Sequence, residues 1–173
     1  LYREIYGRKF AIAGFSNVDL NTINNNGRFA VLNENNVIAT LKVMHRNKAD
    51  FKILCFHWGN EYIHIPSLDQ RKLAYRFIDE GADVIAGHHS HVIQPFEKYK
   101  SGYIFYSLGN FMFDYIHSEM VSVGLVATLT INAGNNVNVN LRGVKLSGKE
   151  TIEPMEDRDF RKFYSEIENL YKE

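Results

Sequence analysis

The residues of this chain best suited to chemistry are three histidines that lie close together in the sequence. They end the segment Asp83-Val-Ile-Ala-Gly-His-His-Ser-His91, in which an apolar run and a glycine precede His88, His89 and His91. Neutral imidazole is a good ligand for zinc, iron, manganese or nickel, and a His-x-His pair directs alternate side chains to one point from an extended backbone. The glycine before the cluster would let the backbone turn sharply. The segment therefore predicts a divalent metal site at the end of a buried strand.

A fourth histidine follows a second apolar run. His57 comes directly after Phe51-Lys-Ile-Leu-Cys-Phe56 and before Trp58. Ligands of open α/β sheets bind outside the carboxyl ends of the strands, so two strands that end in histidine predict one shared site. Alone, His57 would be better explained as a structural residue. Beside the cluster it is predicted to be a metal ligand, with Trp58 as a wall of the site.

Three further polar residues are candidates for contacts with the substrate or with the ligands. Glu61 and Asp114 are carboxylates that could orient an imidazole from behind, although loop carboxylates are more often simply solvated. Asn110 is predicted either to bind substrate or to cap its own turn. We predict surface or structural roles for the remaining histidines, which are His45, His64 and His117.

The composition excludes several functional classes. The 173 residues suit one domain, and 20 lysines and arginines balance 20 aspartates and glutamates, so charge gives no support for a nucleic-acid partner. The single cysteine, Cys55, cannot form an internal disulfide. No apolar run approaches the roughly 18 residues of a membrane span. Glycine-rich phosphate loops and a Gly-x-Ser-x-Gly motif are also absent from the sequence.

The hydrophobic pattern predicts a β-α-β-α-β order before the histidine cluster. Because helices alternate with strands, the three strands should be parallel, with right-handed crossovers. The second helix should begin at Ser67, with Gln70 as its capping-box partner, and end at Gly81. A polar loop is predicted over 16–28. The predicted strands cover 8–15, 51–56 and 83–87, and the helices cover 34–48 and about 68–80.

Antiparallel hairpins and a helix are predicted after the cluster, which completes an α/β fold class. The first hairpin spans 97–107, with its turn at Ser101-Gly102. The second joins 121–131 to 136–146, and the alternation of its second strand predicts one wet face. The helix begins at about 156. Its apolar stripe is predicted to comprise Phe160, Phe163, Ile167 and Leu170.

Three motifs in this order resemble the bacterial CapA family, the poly-γ-glutamate capsule synthesis proteins, which are relatives of the calcineurin-like metallophosphoesterases. The resemblance runs from about residue 8 to residue 114 and implies a partial α/β/β/α sandwich with a dinuclear metal centre. By resemblance, His57 and the pair His89 and His91 are metal ligands. His88 is an extra histidine, and the register in which it replaces His89 stays open. The motifs are His57-Trp-Gly-Asn-Glu-Tyr62, Gly87-His-His-Ser-His91 and Tyr106-Ser-Leu-Gly-Asn-Phe-Met-Phe-Asp114.

The superfamily's N-terminal ligand motifs do not occur in this sequence. No Gly-Asp or Asn-His dipeptide is present. We therefore interpret residues 1–173 as the C-terminal part of one CapA-like domain, whose N-terminal part would be a partner that completes the dinuclear centre. Because metal affinity grows with the number of preorganised ligands, the isolated chain is expected to bind metal weakly and to be inactive.

Three functions remain open at this point. The first is a metal-dependent hydrolase of a phosphoester or related bond, with His57, His89 and His91 as catalytic residues. The second is a non-catalytic envelope factor that handles an anionic poly-γ-glutamate polymer. It should have a basic groove, which the scattered basic residues of the sequence do not reveal. The third is a domain with purely structural histidines. A location at the cell envelope, outside the membrane, follows from the resemblance alone.

Overall fold

A computed structural model describes residues 1–18, 29–114, 118–134, 136–147 and 151–172. The described residues form nine strands, three α-helices and a short 3-10 turn at Glu119–Ser122. The strands are β1 Tyr2–Ile5, β2 Arg8–Ser16, β3 Phe51–His57, β4 Val84–His88, β5 Phe96–Tyr99, β6 Gly102–Phe105, β7 Val123–Ile131, β8 Val137–Ser147 and β9 Thr151–Pro154. The helices are α1 Glu34–Arg46, α2 Leu68–Asp79 and α3 Asp157–Lys172.

The larger sheet has six strands in the order β1-β2-β3-β4-β6-β5. Its four central strands are parallel, and β1 and β5 are antiparallel edges. The predicted β-α-β-α-β arrangement is therefore confirmed. In the register, Ser16 is paired with His57, and His57 with His88. Two predicted ligand positions thus lie side by side at the carboxyl edge.

Helix α2 forms as its sequence predicts. Ser67 Oγ accepts a hydrogen bond from the backbone N–H of Gln70, and the Gln70 side chain accepts one from the N–H of Ser67. This reciprocal pair satisfies two backbone donors that a helix start leaves without intrahelical partners. Gly81 follows the helix with φ +98°, a left-handed conformation that favours glycine.

Two hydrophobic cores flank the six-stranded sheet, as expected for parallel strands buried on both faces. Leu54 and Phe56 face α1 and α2, whereas Ile53 faces the three-stranded sheet of β7, β8 and β9. Helix α3 buries its apolar stripe in this second core. The opposite face of β8 is polar and exposed, which confirms the predicted wet face. The α/β class is confirmed. The described residues form three layers, which are α1 with α2, then the six-stranded sheet, then the three-stranded sheet with α3.

Two details of the sequence interpretation are wrong. The first hairpin turns at Lys100-Ser101, and Gly102 lies in β6, where a Cβ would overlap the Ile78 side chain. Glycine is therefore needed there for packing against α2. In α3, Tyr164 replaces Leu170 in the buried stripe, and Leu170 is 53% exposed. The Tyr164 hydroxyl accepts a hydrogen bond from the backbone N–H of Phe96, and this bond directs the buried stripe of α3 towards β5.

The sequence interpretation also missed both short strands, β1 and β9. All four residues of β1 are exposed, so no hydrophobic alternation marks this strand, which forms by pairing with β2. Most of the predicted loop over 16–28 lies outside the described residues, since these resume at Phe29. Among the described helices, none combines the length and the apolar character that a membrane span requires.

Candidate metal centre

The candidate site lies at the carboxyl edge of the central strands. His57 ends β3 and His88 ends β4, and both side chains are exposed there. Side chains alternate along a strand, so His57 lies on the same face as Ile53, the face towards the second sheet. Desolvation by the surrounding protein lowers the pKa of His88, which favours its neutral form.

The backbone turns sharply immediately after β4. His89 has φ +97° and His91 has φ +58°, so the pair does not extend from a strand as the sequence suggested. Left-handed conformations are uncommon for residues other than glycine and recur at functional sites. The buried Ser90 holds this turn, because its hydroxyl donates to the Val92 carbonyl oxygen and its own carbonyl oxygen accepts the Tyr62 N–H. The histidine turn is thereby joined to the loop that follows β3.

Glu61, His89 and His91 form a group in which one ligand atom of each residue lies within 4.8 Å of the other two. A tetrahedral site with bonds of about 2.1 Å needs ligand atoms about 3.4 Å apart, so modest side-chain movement would close the group around an ion. Two imidazoles and one carboxylate suit zinc, iron or manganese. The three residues therefore fit a divalent metal. Glu61, expected behind an imidazole, instead has a carboxylate oxygen grouped with ring nitrogens of His89 and His91.

His57 and His88 lie outside this group of three. The ring centroids of His57 and His89 are 4.7 Å apart, so His57 borders the group. His88 ends β4, one residue before the turn that carries His89 and His91. The group thus contains His89 and His91. The sequence had left open whether His88 or His89 accompanies His91.

Three side chains surround the His91 ring. The amide oxygen of Asn110 lies 2.9 Å from His91 Nδ1. The rings of Tyr62 and Phe113 pack against His91, with centroids 6.0 Å and 4.6 Å from its ring. Tyr62 and Phe113 were not among the predicted site residues, although both lie in the motifs quoted from the sequence. Asp114 is exposed one residue beyond Phe113.

Trp58 lies in the core and does not form a wall of the site as predicted. Its side chain is 1% exposed, and its ring packs on Phe56 and Tyr106. The indole Nε1–H donates to the carbonyl oxygen of Tyr106 at 2.9 Å. Trp58 therefore ties β3 to the segment after β6 and supports the edge from within.

Gly87 is required for space and not for the sharp turn that its sequence position suggested. Gly87 lies inside β4, and the backbone turns only at His89. A Cβ at position 87 would overlap the carbonyl oxygen of Tyr106 and lie 2.6 Å from Trp58 Nε1. The absent side chain makes room for the hydrogen bond between Trp58 and Tyr106.

The remaining histidines lie elsewhere. His45 is exposed on α1. His64 Nδ1 is 2.7 Å from the carbonyl oxygen of Ile93, a contact that joins two loops. His117 lies outside the described residues.

The sequence comparisons place the chain in a family. Residues 2–115, more than half of the chain, match the family described as "Bacterial capsule synthesis protein PGA_cap". The chain belongs to the PGA_cap family. The matched region includes the histidine turn and Glu61, and it ends one residue after Asp114.

Curated relatives of this PGA_cap chain have related names. It is 51% identical over 77 residues to "Capsule biosynthesis protein CapA" of Bacillus anthracis, covering 44% of this chain and 19% of that protein. It is 51% identical over 69 residues to "PGA biosynthesis protein CapA" of Bacillus subtilis, covering 40% and 18%. A Mycobacterium tuberculosis protein named "Probable polyglutamine synthesis accessory protein" is 31% identical over 117 residues, covering 64% and 31%. The chain thus spans less than a third of the length of these relatives.

Proposed function

We propose that this PGA_cap chain binds one divalent metal ion through Glu61, His89 and His91, and that the site serves hydrolysis of a phosphoester or related bond in capsule polymer synthesis. The proximity of the three ligand atoms, all within 4.8 Å of one another, carries the proposal. A three-residue group serves a single ion, whereas the dinuclear centre implied by the resemblance needs further ligands. The capsule-related names of the relatives support the pathway and an association with the cell envelope.

The residues around the group suit this chemistry. A bound divalent ion would supply Lewis acidity towards a phosphoryl or carbonyl oxygen. His57 is exposed beside His89, where its imidazole could accept or donate a proton at the reacting group. Asn110, Tyr62 and the backbone of Ser90 hold the ligand-bearing loops together. The described residues thus provide metal ligands and a general acid or base at one edge.

Metal titration with matched variants tests this site. Zn²⁺ and Mn²⁺ would each be titrated against a chromophoric chelator with the wild-type chain, Glu61→Gln, His89→Ala and His91→Ala. Loss of one of three ligands should weaken binding at least about tenfold. His45→Ala, which removes an exposed histidine of α1, should bind as the wild type does. Equal affinities for all variants would refute the site.

Turnover is tested separately in the full-length gene product. Hydrolysis of phosphomonoester and phosphodiester substrates would be measured with each metal, and His57→Ala should lower kcat about 10²-fold or more, in line with general acid–base catalysis. Metal binding without hydrolysis of any phosphoester would favour the second candidate function.

The second candidate is a non-catalytic factor that binds an anionic glutamate polymer, and a basic groove favours it. A groove of about 770 Å³ between the ends of α1 and α2 is lined by Lys42, His45 and Arg46. The other charged lining residues are paired, because Lys52 forms a salt bridge with Asp83 and Glu80 forms one with Arg76. Among the described residues, no carboxylate forms a salt bridge with Lys42 or Arg46. The groove thus offers uncompensated positive charge to a polyanion.

Charge reversal tests the groove. The double variant Lys42→Glu with Arg46→Glu should lose salt-sensitive binding to poly-γ-glutamate, measured by fluorescence anisotropy at low ionic strength. The matched control reverses two exposed lysines elsewhere, Lys72→Glu with Lys172→Glu, and has the same net charge. Equal loss in both double variants would show only a net-charge effect and would exclude the groove as the binding surface.

A further inference from the structure

Asn110 is a buried amide whose two ends have different partners. Asn110 as a whole residue is only 8% exposed to solvent. The amide Nδ2–H donates to the carbonyl oxygen of Val121 at 2.9 Å, and Oδ1 lies 2.9 Å from His91 Nδ1. A backbone carbonyl oxygen can only accept hydrogen bonds, so the amide nitrogen must face Val121. The orientation of the amide is therefore fixed by chemistry, and its oxygen faces His91.

We infer that Asn110 is a positioning residue that holds neutral His91 in the tautomer protonated at Nδ1, so that His91 offers Nε2 to a metal ion. An amide oxygen can only accept a hydrogen bond, so the hydrogen of the 2.9 Å contact must come from His91 Nδ1. The opposite tautomer would place two lone pairs against each other in a buried setting, which is unfavourable. The lone pair of the neutral ring then lies on Nε2.

The surroundings of His91 reinforce this arrangement. Tyr62 stacks on its ring with planes 25° apart, and Phe113 packs on it with planes 33° apart. These contacts limit rotation of the ring, and the hydrogen bond to Asn110 selects one of its two nitrogens. A hydrogen-bond partner on the ring nitrogen that does not bind the metal fixes the tautomer and the direction of a metal-ligating histidine. The relevance of Nε2 to a metal rests on the proposed function, whereas the tautomer itself does not.

The tautomer can be measured directly in the metal-free wild-type chain. Long-range ¹H–¹⁵N correlation spectra of the histidine side chains distinguish Nδ1–H from Nε2–H rings, and His91→Ala assigns the signals. His91 should show a protonated Nδ1 and an unprotonated Nε2 above the pH at which the ring becomes neutral. An Nε2–H ring at His91 would overturn the inference, whatever the protein does with metals.

Two substitutions test the role of Asn110. Asn110→Asp loses the donor to the Val121 carbonyl oxygen but keeps an acceptor beside Nδ1, and should keep Nδ1 protonated. Asn110→Ala removes the acceptor and should allow the Nε2–H form to appear. Asn140→Ala, which removes an exposed asparagine of β8, is the matched control and should leave the spectrum of His91 unchanged. If Asn110→Ala folds and leaves His91 wholly Nδ1–H, Asn110 does not select the tautomer. If Asn110→Ala does not fold, Asn110→Leu takes its place, because leucine fills a similar volume without an acceptor beside His91 Nδ1, and the same two outcomes decide.

Metal affinity separates this inference from the proposed function. Zn²⁺ affinity should fall about 10- to 100-fold in Asn110→Ala, with a smaller change in Asn110→Asp. One possible result is that the His91 ring is Nδ1–H only when Asn110 is present, while the chain binds no Zn²⁺. That result would uphold the tautomer inference and refute the metal site. If Asn110→Ala folds and changes the His91 tautomer but leaves the Zn²⁺ affinity unchanged, Asn110 does not position His91 for the metal.

Discussion

At the scale of single residues, the site depends on positions where a side chain or its absence decides the local geometry. His89 and His91 adopt left-handed backbone conformations, and Gly87 leaves room for the hydrogen bond between Trp58 and Tyr106. Sequence reasoning found the histidines because their types and spacing indicate metal ligation. It could not place Trp58 in the core, because burial of an aromatic residue at a strand end depends on what the rest of the fold packs against it.

Gly87→Ala should destabilise the protein strongly. The added Cβ would overlap the Tyr106 carbonyl oxygen and approach Trp58 Nε1 to 2.6 Å, so β4 or the Trp58 ring must shift. Overpacking of this kind costs about 1–3 kcal/mol of unfolding free energy, to which the broken hydrogen bond adds about 1 kcal/mol. Urea denaturation measures the loss. Gly14→Ala, whose Cβ would meet the Cys55 carbonyl oxygen at 3.8 Å, is the control, and similar loss in both would contradict the account.

At the scale of elements, α3 is anchored by tyrosine hydroxyls. The Glu97 carboxylate accepts hydrogen bonds from Tyr75 at 2.6 Å, Tyr106 at 2.9 Å and Tyr171 at 2.8 Å. Tyr171 is near the end of α3, so one carboxylate joins this helix to α2 and to the segment after β6. The sequence predicted the helix from its apolar periodicity. It did not predict this anchor, because the four residues are distant in sequence and meet only through the fold.

Glu97→Ala should loosen α3 more than the rest of the protein. Three tyrosine hydroxyls would lose a charged acceptor, at about 1.5–3 kcal/mol for a hydrogen bond to a charged group. Hydrogen exchange should accelerate at the α3 amides before those of β3 and β4. The control Glu166→Gln alters an exposed carboxylate of α3. Uniform acceleration across the protein, or none in α3, would show that the cluster does not anchor the helix.

Alkaline pH should weaken the contacts of three tyrosines, which are Tyr106 and Tyr171 at Glu97 and Tyr164 at the Phe96 N–H. Burial raises the pKa of Tyr164 from 10.0 to about 12, and burial also raises the pKa values of Tyr106 and Tyr171. A folded-state pKa above the unfolded value means that stability is present below about pH 10 and is lost as pH rises towards 12. The unfolding free energy, measured by urea denaturation between pH 9 and about 11, should fall. Tyr164→Phe should reduce this slope, and an unchanged slope would refute the contribution of Tyr164.

At the scale of the whole molecule, parallel strands bring together residues that are far apart in the chain. The strand order predicted that His57 and the histidine turn meet at one carboxyl edge, and the register of Ser16, His57 and His88 confirms that placement for the strand ends. The grouping of Glu61 with His89 and His91 was not predicted from the sequence, because the position of Glu61 depends on a loop held by the hydrogen bond between Tyr62 and Ser90. The basic groove between α1 and α2 could likewise not be predicted from the sequence, because its residues come together only when the two helices pack in the fold.

The most direct test of the central claim is a crystal structure of the Mn²⁺-loaded chain with anomalous diffraction. One principal anomalous peak is expected, bound by a Glu61 carboxylate oxygen, a ring nitrogen of His89 and Nε2 of His91. The same crystals of Glu61→Gln should show a much weaker peak, since an anionic ligand is lost. A peak bound by other residues, or no peak in crystals grown at saturating Mn²⁺, would contradict the proposed metal site.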